Sequence, residues 1–338
     1  MRFVYLTFAL LMAALPAHAK DLTSITLVQS SQSFNFVPLY IAQARGYFAE
    51  EGLKVNVVLA GGGPKAMTAL LGGGGQFAAS VLLDGMMAHR KGLDDVRAMA
   101  TLSYFLNRMV VRADVAKARG LDLSKPLAER VLLMKGMKLA ITTPGASSDM
   151  TIRYLAMTNG LSPDSDFQIV PLGGMSSQIA GIQAGQVDGC ACLPGVDILT
   201  KAQGLTVDLV KPGELTELDG VTYGTLYGLA SYNKAHPEVA RAMARALVRT
   251  TILIADNPDA ARAASRSFFK EMDEQTFNTS WSTYLPYIPK IPLISREDFE
   301  RELAFEKTVM PPAAYKPVSY DDATDMSFVI AAMRDFKR

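Results

Sequence analysis

Residues 35–58 read NFVPLYIAQARGYFAEEGLKVNVV. A tyrosine-and-alanine helix is predicted over 37–49, with Pro38 near its first turn, where a missing N–H costs nothing. A glycine-aromatic turn and a valine-rich strand, KVNVVLA at 54–60, follow at once. A shorter echo, RYLAMTNGLSPDSDFQIVPL, returns at 153–172. YIAQARG at 40–46 matches YLAMTNG at 154–160, an offset of 114, and Gly62-Gly63 matches Gly173-Gly174, an offset of 111. The match continues through Ala69 with Ala180 and Leu71 with Ile182, and the three-residue difference fits a shorter connection in the second copy. Two βαβ units share composition by nature, but here the order of elements repeats along with the letters. Two similarly built lobes are the expectation.

Outward from this stretch the same alternation holds. Strands are predicted at 24–29 (SITLVQ), 76–80 (QFAAS) and 96–102 (VRAMATL), with a short helix after GGGPK and another in LLDGMMAHRKG. After a charged, helix-like stretch near 114–130 the order restarts. MKLAIT (137–142), FQIVPL (167–172) and VDGCACL (187–193) are strands; 147–160 and 176–186 are helices, the first stopped by Asn159-Gly160. Strands alternating with helices imply mostly parallel sheets covered on both faces. The last third differs. A strand-like 222–233 leads into a long amphipathic helix at 236–257, a proline- and aromatic-rich SWSTYLPYIPKIP (280–292) and the helix-like DFERELAFEK. This segment is expected to pack on one of the two lobes.

The chain opens MRFVYLTFALLMAALPAHAK: one early cation, an apolar run and Ala17-His18-Ala19 before Lys20. That is the pattern of a secretory signal peptide over 1–19, cleaved after Ala19. The run is shorter than the roughly 20 residues a membrane span needs, and no lipobox-like cysteine follows. Loss of Arg2 leaves 33 basic against 33 acidic residues, a balance that disfavours nucleic acid and acidic membrane surfaces as partners. Hydrophobic residues at 49% suffice for a real core. The two cysteines, Cys190 and Cys192, sit two apart on one strand, a poor fit to disulfide geometry, so they are expected to be buried and reduced. Nearby ligands for a metal are lacking, and no cofactor is implied.

Here the sequence resembles a known family. PLYIAQARGYFAEEGLKVNVV, with Gly46-Tyr47-Phe48 and then Glu51-Gly52-Leu53, is similar to the signature of periplasmic substrate-binding proteins of ABC importers for nitrate, sulfonates, taurine and thiamine-precursor pyrimidines. HPEVARAMARALVRTTILIADNPDAA resembles that family's later His-Pro-Glu helix. The resemblance implies an α/β fold of the two-lobe type II binding-protein kind, with a ligand cleft between lobes. It places lobe one at 20–103 and 222–338, lobe two at 104–221, and crossings near 103–107 and 218–222. It further implies a periplasmic, non-catalytic, monomeric chain that hands a small-molecule solute to an ABC permease and its ATPase subunit.

In open α/β sheets ligands bind beyond the carboxyl ends of the strands. Four loops are expected there: SSQSFNF, GGGPK, TTPGASSD and GGMSSQ. The first offers Ser33, Phe34 and Phe36, and the second Gly62 and Gly63. Ser80 ends the third strand and Asn107 sits at the first crossing. The second lobe offers Thr143, Gly145, Ser147 and Ser148, then Gly174 and Met175, then Pro194. Glycines permit close backbone approach, and the unpaired N–H groups of helix starts suit an anion. The serines are alternatively helix caps, and the phenylalanines, with Tyr104 and Phe105, either clamp a flat solute or pack in the core. Lys65, Arg108 and Arg153 are candidate counter-charges. Asp84, Asp149 and Asp197 point the other way, toward an amine or aminopyrimidine. A membrane sensor fed by the same lobes is a rival to import. A pyrimidine-synthesis enzyme of this fold is another, but GCACLPG departs from the cysteine-rich run of such enzymes. Neither GMSSQ nor GASSD matches the G-x-S-x-G of serine hydrolases.

Overall fold

A computed structural model describes residues 22–105, 108–211, 213–218, 220–313 and 315–337. The signal-peptide reading and Asn107 lie outside the described residues.

The strands run in chain order β1 (Thr23–Gln29), β2 (Leu53–Leu59), β3 (Phe77–Val81), β4 (Val96–Thr101), β5 (Arg108–Arg112), β6 (Lys138–Ile141), β7 (Gln168–Pro171), β8 (Gly189–Cys192), β9 (Thr206–Asp208) and β10 (Gly224–Leu229). They form two five-stranded sheets, ordered β2-β1-β3-β10-β4 and β7-β6-β8-β5-β9. The two orders are equivalent position by position, so the echo in the sequence is an echo in topology. YIAQARG lies in and after the Val37–Ala44 helix that follows β1, and YLAMTNG in and after the Ser147–Thr158 helix that follows β6.

In each sheet four of the five strands run the same way, as expected, and one reversed strand makes the sheet mixed. β10 pairs antiparallel with β3 and β4, and β5 antiparallel with β8 and β9, while the remaining pairs are parallel. In each sheet the antiparallel member is the strand that arrives directly from the other sheet. A strand entering from across the cleft runs opposite to strands that begin on the far side and end at the cleft. The two connections lie side by side, joined by a bridge between Tyr104 and Thr222.

The predicted helix at 37–49 is two helices, Val37–Ala44 and Tyr47–Glu50, parted at Gly46, whose φ of 72° ends the first. The Pro237–Asp256 helix is amphipathic and buries Val239, Met243, Leu247 and Ile254 against the Val37–Ala44 and Ser327–Asp335 helices.

The last third does not keep to one lobe. Its Arg296–Val309 helix packs on the Ser147–Thr158 helix, with Phe305 against Tyr154 at 5.3 Å. Its Glu274–Tyr284 helix packs on Val196–Ala202. Side chains of both sheets consequently share one apolar core, in which Leu27, Phe34 and Leu226 join Val110, Ala140 and Cys192.

The cysteines also depart from expectation. Cys190 and Cys192 are buried, but they are joined as a disulfide. Side chains at i and i+2 share a strand face, and their Cα atoms stand 5.0 Å apart, inside the range a disulfide spans.

Candidate functional site

β1, β2, β3, β6 and β8 all end toward one gap between the sheets, and a cavity of about 30 Å³ lies there. That volume holds about two water molecules. One wall comes from the first sheet: Ser30 and Ser31 just after β1, Asn35 from the same loop, Gly62 and Gly63 after β2, Ser80 and Val81 at the end of β3, and Asp84 in the first turn of the helix that follows. The opposite wall is Thr142, Ala146, Ser147 and Ser148 after β6 and Leu193 after β8; Tyr223, from the returning connection, closes one side.

The walls touch. A Cβ at position 62 would lie 2.7 Å from Thr143 Oγ1, so only glycine admits this approach. Ser147 Oγ meets the Tyr223 hydroxyl. Behind the cavity, the Tyr284 hydroxyl donates to Asp197 Oδ1 at 2.5 Å and accepts from Gly195 N–H at 3.3 Å. Burial and the neighbouring Asp197 carboxylate hold that phenol well above its usual pKa.

Asp84 is the acid of the site. It opens the Leu82–Arg90 helix, is 4% exposed, and its Oδ2 accepts from Ser80 Oγ and, at 3.3 Å, from Val81 N–H. Burial pushes its carboxyl up to about 6 despite those donors. The carboxylate lies directly against Gly63, where a Cβ would come within 2.0 Å of Oδ2. Asn35 is 2% exposed and its Oδ1 has no hydrogen-bond partner; Thr143 Oγ1 and Ser33 Oγ are likewise unpartnered.

Of the residues singled out in the sequence, Gly62, Gly63, Ser80, Ser147 and Ser148 come together at this cavity, with Thr143 beside Gly62. Ser148 is occupied there, since its Oγ accepts from Thr142 N–H at 3.0 Å. Others are placed elsewhere. Phe34 stacks on Phe269 at 4.1 Å and Phe36 is wholly buried, because both side chains turn into the core beneath the loop. Ser33 is buried with its N–H on the Tyr40 hydroxyl. Gly145 donates its N–H to Asp149, and Met175 and Pro194 are buried near Gly195 without lining the cavity, as does not Gly174.

The candidate counter-charges are also elsewhere. Lys65 is exposed and Arg153 pairs with Asp149 and Asp164. Arg108 lines a separate small cavity with Phe105 and Tyr287, and its guanidinium lies over the Tyr287 ring. Asp149 and Asp197 are buried but do not line the central cavity, whereas Asp84 does. Sequence reasoning missed Ser30, Ser31, Asn35 and Tyr223. Asn35 stands between two phenylalanines in SSQSFNF, and an isolated amide between buried aromatics was the signal to follow.

With this geometry in hand, the chain can be set beside known proteins. The family model described as NMT1/THI5 like matches residues 33–261, more than half of the chain. The chain belongs to the NMT1/THI5-like family. Among relatives of this family member is YtlA of Bacillus subtilis (strain 168), which carries a binding-protein name. It is 24% identical over 307 residues, covering 88% of this chain and 86% of YtlA. Two of the solved structures that share the fold serve for comparison. One is the ligand-binding component of an ABC-type import system from Staphylococcus aureus, with TM-score 0.72 and 14% identity, covering 92% of this chain and 99% of that one. The other is the periplasmic nitrate-binding protein NrtA from Synechocystis PCC 6803, with TM-score 0.69 and 16% identity, covering 94% and 90%. The two-lobe α/β architecture of this family member is thus that of the periplasmic binding proteins.

Proposed function

We propose that this chain is the solute-binding component of an ABC-type importer. In this reading it works in the periplasm as a monomer, after removal of residues 1–19, and passes its solute to a permease and ATPase. The lobes are 20–103 with 222–338, and 104–221, and they rotate about the paired connections near Tyr104 and Thr222. One observation carries the reading: a cavity lined mostly by polar residues is shared by the strand tips of two topologically equivalent sheets, with Gly62 pressed on Thr143. The cavity as it stands holds about two waters, so an organic solute enters only with the lobes apart and is enclosed as they return. A solute favours closure only by binding the closed form better. The names of the S. aureus and Synechocystis neighbours, and of YtlA, support a binding role. Among the described residues no helix is long and apolar enough to cross a membrane.

Small-angle X-ray scattering of the purified mature chain against a panel of small metabolites tests this. Compaction by one compound, recovered unchanged afterwards, is the expected result. A chain that no compound compacts overturns solute capture, and a chemically altered compound overturns the non-catalytic reading.

A further inference from the structure

The helix starts around the cleft, which by their dipoles suit an anion, are largely answered by the chain's own carboxylates. Asp84 lies against Gly63, the first residue of the Gly63–Leu71 helix. Asp149 Oδ2 takes the Gly145 N–H at 2.8 Å just before the Ser147–Thr158 helix. Asp197 Oδ1 takes the Gly195 N–H before Val196–Ala202. The Met175–Gln183 helix has no acid in its first turn, but its N-terminal Gly174 does not line the cavity. Among the described residues no lysine, arginine or histidine lines the cavity, and Asp84 is its one carboxylate. Asn35 lines the same cavity, and its side-chain oxygen is buried and unpartnered, an acceptor left without a donor.

We propose that the solute carries a hydrogen-bond-donating nitrogen, an amine, amidine or protonated ring nitrogen, that sits on the Asp84 carboxylate and the Asn35 oxygen. This rests on the solute-capture reading above and selects, within it, a cationic head over the sulfonate- or nitrate-like anion that the loops alone suggest. A bound cation neutralises a carboxylate that burial otherwise disfavours, and it satisfies Asn35 in the same step; an anion would do neither.

The groups facing Asp84 are known. Ser80 and Tyr227 approach from β3 and β10, and Tyr223 shares the cavity. From the Arg296–Val309 helix come the fields of Glu302 and Glu306, the latter paired with Arg90. None of these but Arg90 is cationic, and Arg90 is engaged.

Titration calorimetry tests the assignment, using acetamidine, benzylamine and 4-aminopyridine against methanesulfonate, nitrate and acetate. The nitrogen compounds are expected to bind, and Asp84→Asn to weaken them about ten- to a hundredfold. Lys65→Ala, at an exposed residue that does not line the cavity, is expected to retain binding, and a circular dichroism spectrum of Asp84→Asn matching the unmodified chain separates lost binding from lost fold. In the unmodified chain acetamidine, protonated throughout, should lose affinity as pH falls through about 6, where Asp84 takes up its proton. Binding confined to the anions, binding by neither set, or acetamidine affinity flat across that range overturns the assignment. Solute capture itself survives each of these results and falls only if no compound of any class compacts the chain.

Discussion

The loop at 30–36 serves two regions that lie side by side and are built on opposite terms. Ser30, Ser31 and Asn35 face the cavity, while Phe34 and Phe36 turn the other way into the core. Phe34 is ringed by Phe269 at 4.1 Å, Tyr284 at 5.2 Å and Phe277 at 6.2 Å, three residues of the last third of the chain. In that aromatic region the Tyr284 hydroxyl is paired with both Asp197 and Gly195. The cavity beside it is small, lined mostly by polar residues, and leaves the Asn35 side-chain oxygen without a partner. The difference separates two tasks: the rings pack the last third of the chain onto its first, and the polar side of the loop faces the cavity.

Substitutions that strike one region and not the other sharpen this division. The largest effect is expected from Phe34→Ala, which empties the centre of the ring cluster and should cost about 3–5 kcal/mol in urea unfolding. An unchanged midpoint would mean the aromatic region carries little of the fold. Next is a pH effect confined to the polar side. Asp84 is held up to about 6, so the folded state keeps its proton longer than the unfolded chain does. Stability should therefore fall as pH rises from near 4 through about 6, by at most about 3 kcal/mol. Glu302 and Glu306, also raised by burial, act in the same direction. Asp84→Asn should flatten part of that slope in denaturation curves taken at several pH values, whereas Phe34→Ala should leave its shape alone.

Gly63→Ala comes third, at about 2–3 kcal/mol, because the new methyl group runs into the short, buried Asp84 side chain. A stable Gly63→Ala chain would show that the carboxylate has room to swing away, loosening the polar wall. The smallest effect, about 1–2 kcal/mol, is expected from Tyr284→Phe, which keeps the ring but strips Asp197 and Gly195 of their hydroxyl partner. Thermal unfolding measures it, and a loss equal to that of Phe34→Ala would put the cluster's weight on its one polar contact instead of its rings.

Much of the architecture was legible because period and punctuation carry it. Strand–helix alternation, the Gly46 and Gly160 stops and the offset of 114 were enough for two equivalent units. Strand direction is not written in composition, so β5 and β10 were not recognisable as the antiparallel members. Nor could letters tell that the Arg296–Val309 helix reaches across to the Ser147–Thr158 helix, since an amphipathic face does not name its partner. At the site, Gly62, Gly63 and Ser80 stood out by chemistry and position. Phe34 and Asn35 are neighbours whose opposite orientations depend on one short 3-10 turn, Phe34–Phe36. Asp84 was visible as an acid, but a first-turn carboxylate reads equally as a helix cap, and it is both.

The exchanged strands also set an order of assembly. Every strand of the second sheet falls within residues 108–208, a contiguous piece, whereas β10 at Gly224–Leu229 must slot between β3 and β4 to complete the first. As the chain emerges from a ribosome or a translocation pore, the early half of the first sheet has to wait, with the edges of β3 and β4 open, until more than a hundred further residues have followed. The second sheet has all its partners by then. This molecule is thus expected to fold from its middle outward, its first-made strands among the last to be sealed.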